Sequence, residues 1–149
     1  MKTDTIKKGI LIQATPEFVF DKLIRSEDIV KYFPLKEVIS DWNVGCEVLY
    51  KGEIDGQPFT DFGRIECLDR PKRYHYTYWS DNHGTERTPE NHVSIRYQLS
   101  SKGKGTHLLL EQGNLPSEEM FKLMDAIVWD SLLDSMRAYI ESEFRKNVV

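Results

Sequence analysis

Hydrophobic and polar positions divide this chain into two regimes. Between Pro116 and Lys146 there is no internal Gly or Pro, and apolar residues recur at helical spacing: Met120, Leu123, Met124, Ile127, Val128, Leu132, Leu133, Met136, Ile140 and Phe144. The period predicts one long amphipathic helix, roughly 45 Å from end to end at about 1.5 Å per residue. Most of what precedes it alternates with period two, as half-buried strands do. One long helix needs a surface to lie on, and a single antiparallel sheet is the only large surface this sequence offers.

Thr5 to Gln13 reads as the first strand, with Ile6, Ile10 and Ile12 on one face and Leu11 on the other. Ala14-Thr15-Pro16-Glu17 then starts a short helix: Thr15 can cap, Pro16 suits the first helical position, and Glu17 favours the positive end of the dipole. That helix runs to about Arg25. A second opens at Ser26 and ends before Pro34, closing on Tyr32 and Phe33. Strands are predicted at Val38–Trp42, Gly45–Glu53, Phe59–Leu68, Lys72–Ser80, His92–Ser100 and Thr106–Gln112. Asp55-Gly56 supplies the first tight hairpin, because this pair readily takes positive φ. Asp81 to Asn91 is a polar loop with Gly84 and Pro89. The fold class is α+β: a curved antiparallel sheet of six to seven strands around a long C-terminal helix, with two short helices after the first strand.

A chain of 149 residues is expected to form one domain, 1–149, with a sizeable core. A net charge of −4 with scattered basic residues gives no electrostatic case for nucleic acid or anionic lipid. No window approaches a transmembrane span, so no membrane is expected as a partner. The start, MKTDTIKKGI, lacks an apolar stretch, so a secretory signal is not expected and the cytoplasm is the expected location. Cys46 and Cys67 are too few for a disulfide framework. With Asp55-Gly56 as the turn, Cys46 falls opposite Ile65 and Cys67 diagonally on the same face, as two reduced thiols in or near the core.

Several segments together resemble a known family. They are Ala14-Thr15-Pro16-Glu17-Phe18-Val19-Phe20, the pair Tyr32-Phe33, and Gly63-Arg64-Ile65-Glu66-Cys67-Leu68-Asp69-Arg70-Pro71 with Tyr76-Thr77-Tyr78-Trp79. Val93-Ser94-Ile95-Arg96-Tyr97-Gln98-Leu99 with Gly105-Thr106 and Trp129-Asp130-Ser131-Leu132-Leu133 complete the set. In this order and spacing they resemble the START-like (SRPBCC) superfamily, the helix-grip fold. Within it the chain is most similar to small proteins like the activator of the 90-kDa heat-shock protein ATPase. The family's usual Gly-Trp in the last helix is Val128-Trp129 here, and its usual Trp in the second short helix is Tyr32. The resemblance implies a cavity between sheet and helix. It leaves the activity undetermined, because one fold hosts many functions.

Candidate chemistry is sparse. No pair among His75, His83, His92 and His107 has metal-ligand spacing, and no Gly-rich phosphate loop, nucleophile elbow or Cys-His signature is present. Neither a metal nor a cofactor is expected. Glu118-Glu119 is explained by the dipole of a helix N-terminus. The strand Tyr74-His75-Tyr76-Thr77-Tyr78-Trp79 is more suggestive. Its three tyrosines share one face, which walls a cavity if concave and forms an exposed ladder if convex; in the alternative register His75 and Trp79 face inward. Arg96 and Tyr97 face the same choice, and an inward Arg96 would suit a carboxylate or phosphate ligand. From the helix, Met120, Met124, Val128, Leu132 and Met136 would roof the pocket, with Phe33 and Trp42 at its mouth. Plain core packing is the competing account of all of them.

Three functions compete. The first is a binding protein for a small apolar or amphipathic ligand. The second is an interaction module for a chaperone or another protein, as the family name suggests. The third is an enzyme such as a cyclase or hydrolase, which needs an acid–base pair such as His75 with Glu111 or Tyr76. The balance is against an enzyme. A homodimer is compatible with the sequence, through the Lys72–Ser80 strand or the loop after it.

Overall fold

The computed structural model describes residues 4–147. Seven strands form one antiparallel sheet: β1 (Ile6–Ile12), β2 (Glu37–Ser40), β3 (Glu47–Ile54), β4 (Gln57–Asp69), β5 (Arg73–Ser80), β6 (Val93–Lys102) and β7 (Gly105–Gly113). Their spatial order is β1-β7-β6-β5-β4-β3-β2. From β2 to β7 the chain is a meander of adjacent hairpins. β1 lies at the opposite edge from β2, and the helices α1 (Pro16–Leu23) and α2 (Ser26–Tyr32) carry the chain between them. The dimer contact anticipated from β5 cannot be an edge-to-edge pairing, because β5 is hydrogen-bonded on both sides.

Local chemistry accounts for the turns and caps. Asp55 and Gly56 sit at φ 51° and 81°, the two-residue hairpin geometry that their sequence favours. The Thr15 hydroxyl accepts from the Phe18 amide, and the Ser117 hydroxyl from the Met120 amide. At the open end of this hairpin, the Gly45 amide donates to the Ile65 carbonyl at 2.8 Å and the Ile65 amide to the Cys46 carbonyl at 3.0 Å, the pairing expected. A bulge between Ile65 and Cys67 then shifts the register. Cys67 pairs with His75 and lies on the outer face, not on the face of Ile65 where simple alternation puts it. Both cysteines are half-buried free thiols.

The C-terminal helical run departs from a uniform α-helix. It consists of α3 (Glu118–Leu123), a π-helical segment (Met124–Val128) and α4 (Trp129–Asn147). The Trp129 amide donates to the Met124 carbonyl, one residue beyond the α-helical partner. α4 buries Trp129, Leu133, Met136 and Ile140 against the sheet, whereas α3 and the π segment bury no residue. Lys8 of β1 spans the junction by ion pairs to Asp125 of the π segment and Asp130 of α4 at 3.6 and 3.3 Å.

A buried polar cluster ties the short helices to α4. Lys22 and Asp28 pair at 3.3 Å, both less than 10 % exposed at the side chain. The Tyr139 hydroxyl donates to Asp28 at 2.6 Å. The Tyr32 hydroxyl donates to the Lys22 carbonyl, and the Ser135 hydroxyl to the Tyr32 carbonyl. Breaking such a pair leaves an uncompensated charge in the interior. Asp28→Ala is expected to lower unfolding free energy by about 3 kcal/mol or more in urea titrations. Asp21→Ala, which removes only the half-exposed pairing with Arg70, should lose less than about 1 kcal/mol. Equal losses would refute the buried role. Backbone amides of 118–128 are expected to exchange with deuterium faster than those of the buried face of α4, because few packed side chains oppose local opening there.

Candidate functional site

The concave face of the sheet and the helical run do not meet everywhere. Between them lies a cavity of about 390 Å³. Strand alternation decides which side chains reach it. On β5 the inward positions are Tyr74, Tyr76 and Tyr78, all at least nine-tenths buried, while His75, Thr77 and Trp79 stand outward. Tyr97 of β6 and Tyr50 of β3 join them. The rings of Tyr74 and Tyr76 stack at 5.1 Å, Tyr50 and Tyr76 lie 5.3 Å apart, and the Tyr50 and Tyr74 hydroxyls share a 2.8 Å hydrogen bond. Burial raises the pKa of each of these phenols, so they stay neutral donors and acceptors.

The helical run supplies the roof. Met124, Val128 and Leu132 face the cavity together with Met120 and Leu123, and Phe33 closes one side. Four predicted pocket residues stand elsewhere. Trp79 is on the outer face, where its indole N–H donates to Thr85 and the Arg87 guanidinium bridges its ring and that of Phe62. Arg96 is exposed on the same outer face, in a row with His75 and Glu111. Met136 is fully buried where α4 already meets the sheet. Trp42 packs edge-on against Tyr74 at 6.0 Å, off the cavity. The acid–base pairing of His75 with Tyr76 is also precluded, because the two point to opposite faces.

One end of the cavity is polar, and its key residue escaped the sequence reading. Asp61 of β4 shares the inward parity of Ile65, four residues on, so its carboxyl faces the cavity beside Asn82 and His83. A charged residue at an inward strand position was the available signal. Burial pushes the Asp61 carboxyl up to about 6, with nearby Asp81 adding to the rise and a hydrogen bond with Ser80 opposing it. His83, read as a loop residue, packs its ring 5.6 Å from Tyr78, and burial lowers its pKa. Gln112 spans the polar end: its side chain accepts from the Trp129 indole at 2.7 Å and donates to the Tyr78 hydroxyl at 3.2 Å. That leaves the Tyr78 O–H free to donate into the cavity. Among the described residues no group of three His, Cys, Asp or Glu could hold a metal ion, and no helix is long and apolar enough to cross a membrane.

A seven-stranded sheet gripping a helix around such a cavity defines a START-like protein of the helix-grip class. The chain belongs to the family described as activator of Hsp90 ATPase homolog 1-like protein, which matches residues 13–141. A protein of Cytophaga hutchinsonii is similar in structure, with a TM-score of 0.80 and 26% identity over 96% of this chain and 97% of that one. The Aha1 dimer from Colwellia psychrerythraea has a TM-score of 0.73 at 18% identity, covering 93% of this chain and 97% of that one. A Chromobacterium violaceum protein has a TM-score of 0.73 at 22% identity, covering 92% and 96%. No curated protein sequence matches the chain.

The Asp61 environment has a measurable consequence. A folded-state pKa raised from 3.8 to about 6 means that the folded protein holds this proton more tightly than the unfolded chain. The stability that this one carboxyl contributes is therefore greatest below the unfolded value, falls as pH rises through this window, and levels off above it. Asp61→Asn is expected to abolish that slope and to stabilise the protein by on the order of 2 kcal/mol near neutral pH, read from urea midpoints across pH. A variant less stable than the parent at neutral pH would show that the carboxylate is compensated in the fold.

Proposed function

We propose that this chain is a carrier or sensor of a small amphipathic molecule held between the sheet and the C-terminal helical run, with no catalytic role. The observation that supports this reading is the 390 Å³ cavity itself, within the size range of small-molecule sites, apolar over most of its wall and polar at one end. A core with no ligand to hold would be packed, since voids of this size forfeit dispersion contacts. Phe33, Tyr74, Tyr76, Tyr78, Tyr97, Met124, Val128 and Leu132 form the binding wall in this reading. Methionine suits a roof that adapts to ligand shape.

The mouth lies beside the loosest part of the helical run. Leu123 and Ile54 line the cavity although each is about half exposed, at 53%. Opening of α3 and the π segment would admit the ligand without disturbing the packed half of the helix. A second reading draws on the family and on the Colwellia psychrerythraea dimer: a protein-docking or homodimeric module acting with a chaperone. Leu123 and Ile127, exposed one helical turn apart, would serve it. The cavity goes unused in that reading, which is why we place it second.

The test combines native mass spectrometry and organic extraction of the purified protein with titration of the neutral probe N-phenylnaphthylamine. Saturable probe fluorescence is expected, and Met124→Trp, which fills the roof, should weaken it by roughly tenfold or more. An absence of binding by the parent protein, with no co-purifying molecule, would reject the carrier reading and favour docking.

A further inference from the structure

The charge of the cavity has the sign opposite to that of an inward Arg96. An inward Arg96 would have suited an anion, but Arg96 is outside and, among the described residues, no Lys or Arg side chain lines the cavity. Two carboxylates do. Glu53, at the mouth, is neutralised by Lys36 at 2.7 Å. Asp61, deeper in, has no ion-pair partner among the described residues and lies close enough to Tyr76 and Tyr78 for its charge to raise the pKa of both phenols. An unpaired carboxylate against aromatic rings is an unfavourable arrangement in an empty site, and it attracts cations in two ways. The carboxylate offers an ion pair, and the ring faces offer their negative quadrupole. His83 adds an acceptor: its Nδ1 is buried without a hydrogen-bond partner.

We infer that the molecule held in this cavity is a cationic amphiphile, an organic amine with an apolar body, its ammonium group set between the Asp61 carboxylate and the rings of Tyr76 and Tyr78. The inference rests on the binding reading above and goes further by fixing the ligand's charge. The ammonium N–H groups reach Asp61 and, in the tautomer protonated on Nε2, His83 Nδ1. The body lies along Tyr50, Tyr97 and the methionine roof. Fatty acids, phosphate esters and other anions are disfavoured, because the unpaired charge in the cavity has their sign.

The experiment compares three probes that share one apolar body: naphthylethylamine, naphthylethanol and naphthylpropionate, titrated into the full chain by calorimetry at about pH 8, where Asp61 is ionised. The amine is expected to bind roughly tenfold or more tighter than the alcohol, with the carboxylate weakest. Asp61→Asn should bring the amine down to the affinity of the alcohol. A measurement on the unmutated protein supplements this. Lowering the pH to about 5 protonates Asp61, so the preference for the amine over the alcohol should fade as pH falls through about 6. Of the other groups near this carboxyl, Tyr76 and Tyr78 stay neutral throughout, Asp81 contributes a negative charge, and His83 gains positive charge only at the acidic end, which weakens amine binding in the same direction.

Tightest binding by the carboxylate, or an amine preference unchanged in Asp61→Asn and across pH, would overturn the charge assignment while leaving the carrier function standing. Failure of all three probes and of N-phenylnaphthylamine would overturn the carrier function, and the assignment with it.

Discussion

The structure depends on a mismatch of widths. Seven strands at about 4.8 Å spacing make a sheet roughly 29 Å across, whereas one helix with its side chains covers about 10–12 Å. The inner face of the sheet is mostly apolar and has to be covered. α4 buries its stripe from Trp129 to Ile140, and α1 and α2 cover a second band. The strip between these bands is left to long side chains from the sheet, and tyrosine is the residue that reaches farthest. The cavity is what remains after the five tyrosines of the sheet, Tyr32 of α2, Trp129 and two methionines have reached across the gap.

This geometry explains why the polar groups of the site are so few and so fixed. The strand and helix backbone around the cavity is already hydrogen-bonded within its own elements, so polarity comes mainly from side chains that tolerate burial. Gln112 does so by satisfying both ends of its amide, one on the helix through Trp129 and one on the sheet through Tyr78. It joins the two layers where the packing is thinnest, at the first residue of α4 beyond the π segment. Asp61 does not satisfy itself in this way. Its raised pKa reflects a carboxyl held by the β4–β5 ladder in a place where burial outweighs its hydrogen bond with Ser80. Uncompensated groups of this kind concentrate at functional sites, where a ligand supplies what the fold withholds.

Much of this was legible in the sequence. The tyrosine strand, the two short helices, the Asp55-Gly56 hairpin and the apolar stripe of the last helix each follow from local pattern, and the resemblance gave the helix-grip arrangement. Three things were not. Alternation puts Tyr74, Tyr76 and Tyr78 on one face but is symmetric between the two faces; the packing of α4 is what makes theirs the concave one. The bulge after Ile65 changes parity in the middle of β4, so a period-two reading carried through it misplaces Cys67. The π segment sits where the helical run changes surface: Met124 and Val128 face the cavity before it ends, and Leu133, Met136 and Ile140 pack on the sheet after it. An unbroken 3.6-residue period does not serve both surfaces.

Trp79 and Arg96 show the cost of the face ambiguity most clearly. Both carry the chemistry expected of a binding site, and both lie on the wrong side of the sheet. Trp79 is held by Arg87 and Phe62 in an aromatic–cation stack that covers the outer face. Arg96 sits between His75 and Glu111 in a cross-strand row of alternating chemistry. Because a strand turns successive side chains to opposite faces, assigning Tyr97 to the cavity expels Arg96 in the same step. Assigning Tyr76 and Tyr78 likewise expels His75 and Trp79. The same parity brings Asp61 inside with Ile65. The sign of the charge in the cavity is therefore set by strand parity, the same constraint that gives it its aromatic wall. A site with these tyrosines facing inward on this chain necessarily presents a carboxylate and no guanidinium.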